Sequence, residues 1–179
     1  TMVTVNQLPV VDGGIDQTIC LGDCATCLGL GNLTWTWDNG VQDGVPFQPT
    51  VTNTYTGTGT DVNGCSYSDQ VTITVNDLPT VTMSAMNSVC HNEIPFPLTI
   101  GSPSGGTYSG PGVANNLFDA NSAGIGIHTI TYTYMDGNGC ANSATLDIEV
   151  VDCSTSSIEE NTEHLLEIYP NPATKELSI

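Results

Sequence analysis

The chain repeats itself. Val5, Asn6, Leu8 and Pro9 recur 70 residues later as Val75, Asn76, Leu78 and Pro79. A longer match follows at an offset of 75, where Asp61, Asn63, Gly64, Cys65, Ser68, Ile73 and Val75 recur as Asp136, Asn138, Gly139, Cys140, Ser143, Ile148 and Val150. A supersecondary unit that recurs in this way implies tandem copies of one module. Residues 9–77 and 78–152 are read as the two modules, with Asn76-Asp77-Leu78-Pro79 as the junction, since a proline directly after a strand stops its ladder. Residues 1–8 copy the last strand of such a module, and residues 153–179 are of another kind. Thr1 is no translation start, so the chain is expected to be processed or to be part of a longer product.

Within the repeats the apolar pattern has a period of two, the signature of half-buried strands. Residues 54–60 read as a strand, Asp61-Val62-Asn63-Gly64 as its turn and residues 65–75 as the return. Residues 128–135, 136–139 and 140–150 repeat this hairpin. Asn-Gly supplies the positive φ values that a tight hairpin needs. Leu33, Trp35 and Trp37 fall on one face of a further strand. Many short strands with frequent turn signals predict an all-β fold of tandem immunoglobulin-like β-sandwich domains.

Composition bears on partners. There are 19 acidic residues and one basic residue, giving a formal net charge of −18 and a pI near 4.1. Phosphate backbones are held by Lys and Arg, so nucleic acid is excluded as a partner. An anionic membrane surface would repel the chain. No apolar run is long enough to insert in a membrane as a helix. Such a charge keeps copies apart at low salt but is screened beyond about 8–10 Å in saline, which suits a secreted protein in an extracellular medium.

Seven cysteines are present. Each module has one early cysteine (Cys20, Cys90) and one just after the Asn-Gly turn (Cys65, Cys140). This placement predicts the disulfides Cys20–Cys65 and Cys90–Cys140, each closing a loop inside one module in an oxidising compartment. Cys24-Ala25-Thr26-Cys27 has the spacing of half a zinc site, but no second such pair follows, and a structural role is preferred. Cys153 makes the count odd.

No catalytic set can be assembled: His91, His128 and His164 lie in unrelated contexts, and in so acidic a chain neighbouring carboxylates discriminate nothing. The chain is expected not to be an enzyme. Asp61–Gly64 and Asp136–Gly139 faintly resemble calcium loops but lack the spaced oxygen ligands of an EF-hand, and the hairpin reading accounts for every residue. No cofactor is expected. Calcium bridging acidic groups at the junction, such as Asp77, is the one ion left open. One of Trp35 and Trp37, with Trp37 preferred, is read as filling the core beside the Cys20 bridge; the alternative for the pair is a sugar-stacking platform for surface glycans. Asn32-Leu33-Thr34 matches a glycosylation acceptor.

Three stretches carry a resemblance. DQTICLGD together with residues 37–79 resembles the immunoglobulin-like, PKD-like repeats of very large secreted Bacteroidetes surface proteins, and residues 105–144 resemble a sister repeat. Ile168-Tyr169-Pro170-Asn171-Pro172-Ala173, with Leu177-Ser178-Ile179, is similar to the opening of the C-terminal sorting domain of type IX secretion cargo. The resemblance implies a secreted or cell-surface location. It also implies a non-catalytic structural or adhesive module of a surface or filament-forming protein, whose partners are other copies or neighbouring repeats. The rival expectation is an accessory stalk or carbohydrate-binding region of a secreted hydrolase.

Overall fold

The computed structural model describes residue 2 and residues 5–154. It is an all-β chain of two immunoglobulin-like modules, each built on one four-stranded sheet. The first sheet holds β1 (Gln17–Cys20), β2 (Thr34–Trp37), β3 (Asn53–Thr60) and β4 (Ser66–Asn76) in the order β1-β4-β3-β2. β3 and β4 form the expected antiparallel hairpin, running from Thr60 opposite Ser66 to Asn53 opposite Ile73. β1 lies parallel to the far end of β4, with Cys20 opposite Asn76.

The alternation along β3 shows why this sequence makes a strand. Tyr55, Gly57 and Gly59 face inward, while the intervening threonines face out and pair across the ladder, Thr54 with Thr72 and Thr58 with Ser68. Gly57 is required by packing: a Cβ there would lie 2.8 Å from the Trp37 ring. Against this face sits a second layer that is almost strandless, anchored by reciprocal backbone bonds of 2.9 Å between Ala25 and Phe47. Ala25 and Cys27 of this layer close the core on Trp37, Tyr55, Val71 and Ile73. Full burial of side chains such as Val71 and Ile73 stabilises the module by about 1.5–3 kcal/mol each.

The second sheet repeats the first. β6 (Val89–Cys90), β9 (Thr107–Ser109), β12 (Gly126–Met135) and β13 (Ala141–Val151) stand in the order β6-β13-β12-β9. β12 and β13 are the hairpin, and β6 runs parallel to the far end of β13 as β1 does to β4. The facing layer is better formed here, with β7 (Phe96–Pro97), β10 (Val113–Ala114) and β11 (Leu117–Phe118) hydrogen-bonded as β10-β11-β7; β5 (Thr82–Met83) and β8 (Gly101–Ser102) pair beside it. Phe118, Ile130, Ile148 and Val150 form the centre of this core. Tyr132 is also buried, and its hydroxyl accepts from the Gly106 amide at 2.7 Å and donates to the Pro103 carbonyl at 2.5 Å, which pins the loop before β9. A short helix, α1 (Ala120–Ala123), is capped by Asp119, whose carboxylate accepts the amides of Asn121 and Ser122.

Residues 5–8, expected as the last strand of a preceding module, form no strand and are exposed. The sorting-type segment expected within residues 153–179 lies outside the described residues apart from Cys153 and Ser154.

Candidate functional site

The junction between the modules is built by two turns. The first is the β12–β13 turn at the near pole of the second module. There Asp136 Oδ1 accepts the amides of Asn138 and Cys140 at 2.9 Å, the Asp136 amide donates to the Cys140 carbonyl, and Gly139 takes φ 83°. These bonds leave Cys140 at the apex of the strand. The second is the turn after β1 at the far pole of the first module. Leu21 donates to the Asn76 carbonyl at 2.8 Å and Asp23 to the Cys20 carbonyl at 2.9 Å, so Cys20 faces the junction.

Cys20 and Cys140 are joined there in a disulfide between the modules, and Cys140 is fully buried. The second disulfide joins Cys90 to Cys153. Both findings correct the pairings expected from sequence, Cys20–Cys65 and Cys90–Cys140. The reason is strand length. Cys20 lies beside the C-terminal end of β4, whereas Cys65 precedes its first residue. Eleven residues intervene, and at the rise of a strand they span about 35 Å, far beyond the reach of a disulfide. The same holds for Cys90 and Cys140 at opposite ends of β13. Cys90 instead meets Cys153, just past the end of its neighbouring strand. Cys65 is a free thiol and half-buried.

The other expected site residues are dispersed. Cys24 is exposed and Cys27 buried; the two thiols are not joined. Burial raises the Cys27 thiol above its ordinary pKa, and the charges of Asp38 and Asp43 push it the same way, which makes it a poor thiolate. Trp35 and Trp37 stack at 5.7 Å on the inner face of the sheet. Trp37 is buried, and its indole N–H donates to Asp43 Oδ1 at 3.0 Å; the same oxygen accepts the Gly29 amide at 2.8 Å. The Trp35 ring lies against the Gly29 backbone, where a Cβ would come within 2.0 Å of it.

Asp61 Oδ1 is occupied by the amides of Asn63 and Cys65 at 2.8 Å each, in the same turn that Asp136 makes. The Cys65 amide, then the Asn63 and Gly64 groups, hold the Asp61 carboxyl below its ordinary pKa. Among the described residues no three His, Cys, Asp or Glu side chains gather as a metal-holding group. The Ser122 hydroxyl and amide hold the Asp119 carboxyl below its ordinary pKa, as those of Ser154 do for Asp152, with His91 the least cause in each case; His128 bonds the Gly124 carbonyl at 2.7 Å. His164 lies outside the described residues, and Asn32 is exposed.

No family model and no curated protein matches this sequence. Among solved structures, the chain is similar to the extracellular cadherin domains 1–4 of protocadherin gamma B7, with 14% identity and a TM-score of 0.29 over 80% of this chain. The match spans about half (49%) of the length of that protein chain.

Proposed function

We propose that this chain is a load-bearing, non-catalytic segment of a secreted surface or filament protein, in which immunoglobulin-like modules are clamped end to end by disulfides. The observation that carries this reading is the Cys20–Cys140 bond, which crosses the module boundary and serves neither core. A bond in that place fixes the angle between modules and offers tension a covalent route past most of the chain. Two disulfides fit an oxidising, extracellular compartment. The charge of −18 keeps neighbouring chains dispersed and is screened in saline. No helix among the described residues is long and apolar enough to cross a membrane. The repeat resemblance and the sorting-type tail of the sequence supply the remaining support for delivery to a bacterial surface.

Pulling the full chain by its ends tests this directly. In the oxidised protein, tension passes from Cys20 to Cys140 and leaves the intervening chain slack. Cys20 and Cys140 are 120 residues apart in sequence, so about 400 Å of extension should be missing, at roughly 3.3–3.6 Å per residue. Reductant should restore it. Equal contour lengths with and without reductant would remove the load-bearing role.

A further inference from the structure

We propose that Cys65 is the receiving half of a second inter-module disulfide, made with a module of the same kind stacked on the outer pole of the first module. The inference rests on the clamp reading above and extends it by one joint.

The argument is a comparison of the molecule with itself. Cys65 and Cys140 occupy the same turn. In both, the aspartate four residues before accepts the cysteine amide, at 2.8 Å for Asp61 and 2.9 Å for Asp136, and donates its own amide to the cysteine carbonyl at 2.9 Å. The glycine before each cysteine has nearly the same φ, 81° at Gly64 and 83° at Gly139. Cys20 and Cys90 are likewise equivalent. Each ends a strand lying parallel to the last strand of its sheet, and the next residue donates at 2.8 Å to that strand, Leu21 to Asn76 and His91 to Val151.

One joint between these two kinds of position is present, and it is a disulfide. Each module therefore has a receiving cysteine at its near pole and a presenting cysteine at its far pole. Cys140 receives Cys20. Cys90 is engaged by Cys153. Cys65 is the one receiving position without a partner among the described residues.

The surroundings of Cys65 match a pole that lacks its neighbour. Cys140, covered by the first module, is 0% exposed, while Cys65 in the same turn is half-buried. Leu78, at the joint, is 38% exposed, and its repeat equivalent Leu8 is 63% exposed. Leu8 and Val10 line an apolar hollow with Tyr67, two residues beyond Cys65, and Val62 in the turn is also bare. Bare apolar side chains at this pole are what a docked module would cover.

Two sources can present the partner thiol. In an in-line array, Cys65 and a cysteine placed as Cys20 is, in a module upstream on the same chain, lose two protons and two electrons. A disulfide oxidoreductase or a small-molecule disulfide accepts the electrons. Between copies, the Cys65 thiolate attacks Cys90 Sγ of the Cys90–Cys153 bond in another molecule. The new bond is Cys65–Cys90, the Cys153 thiolate leaves, and no net oxidation occurs.

The test is disulfide mapping of the natural protein, taken from the cells that make it and quenched at once with an alkylating agent. After digestion without reduction, the Cys65 peptide is identified by mass spectrometry. A Cys65 peptide linked to a cysteine outside residues 1–179 establishes the in-line joint, and linkage to Cys90 establishes the joint between copies. Cys65 recovered as the alkylated thiol, or linked to Cys24 or Cys27, overturns the proposal. The same digest reports Cys20–Cys140. If that bond is present and Cys65 is alkylated, only this inference fails; if that bond is absent, the clamp reading falls with it.

Discussion

Asp43 illustrates how much one exposed carboxylate does in a module with few regular strands on its second face. A single oxygen holds the Trp37 indole N–H in the core and the Gly29 amide that lies over Trp35. Asp43→Ala leaves both donors without that acceptor and should cost about 0.5–1.5 kcal/mol, since the Trp37 bond is only part-buried and the Gly29 amide can turn to water. Asp43→Asn, which keeps an acceptor oxygen, should cost clearly less. Urea unfolding of both variants checks the order, and an equal loss would show that the negative charge is what matters. Asp61 supplies a pH dependence. Its folded-state pKa is depressed by the Cys65, Asn63 and Gly64 groups, so its contribution is present above the unfolded carboxylate value and is lost as pH falls through the folded one. The stability difference between the wild type and Asp61→Ala should therefore shrink as the pH falls below about 4. Parallel thermal melts of the two proteins measure it, and taking the difference cancels most of the relief of charge repulsion that acid brings to both. A gap that widened in acid would contradict the bonding of the turn.

The hairpin is the element that the molecule uses twice. β3–β4 and β12–β13 share an Asp-x-Asn-Gly turn, its bonds and the length of the return strand, and each places a cysteine directly before that strand. Gly139 stands at φ 83° with open space where a Cβ would be, so its replacement is a matter of backbone alone. Gly139→Ala should cost about 1–2 kcal/mol, and Gly139→Asn less, because asparagine tolerates the left-handed region. Denaturation under oxidising conditions reads this; if alanine cost nothing, the turn would have another conformation in solution.

For the whole molecule, the clamp decides whether two modules behave as one body. The chain between β4 and β5 is Asp77–Val81, with Asn142 reaching Pro79 at 3.0 Å across it. A short irregular connection of this kind hinges unless tied. Replacing Cys20 and Cys140 together by serine spares both core clusters, to which neither cysteine belongs, and puts one hydroxyl at the buried Cys140 position. Small-angle scattering of that variant should show a broader distribution of dimensions, while hydrogen exchange in β3, β4, β12 and β13 stays protected. An unchanged distribution would mean that the junction is held by something other than the disulfide.

The sequence by itself determined the strands of both hairpins, their turns and the inward face of Trp35 and Trp37. Those features are local: a period of two and Asn-Gly turns are written in neighbouring residues. It also exposed the equivalence of Cys20 with Cys90 and of Cys65 with Cys140, because both pairs keep the repeat spacing. What it did not contain was the pairing of those cysteines. Matching positions within a repeat carry no information about which end of a strand each occupies, and a β-strand of 11 residues separates its ends by about 35 Å. Only the parallel seating of β1 on β4 and of β6 on β13 puts Cys20 and Cys90 at the far poles, away from the turn cysteines of their own modules. The stacking of the modules then brings Cys140 to Cys20, so a bond expected inside a domain became the bond between two.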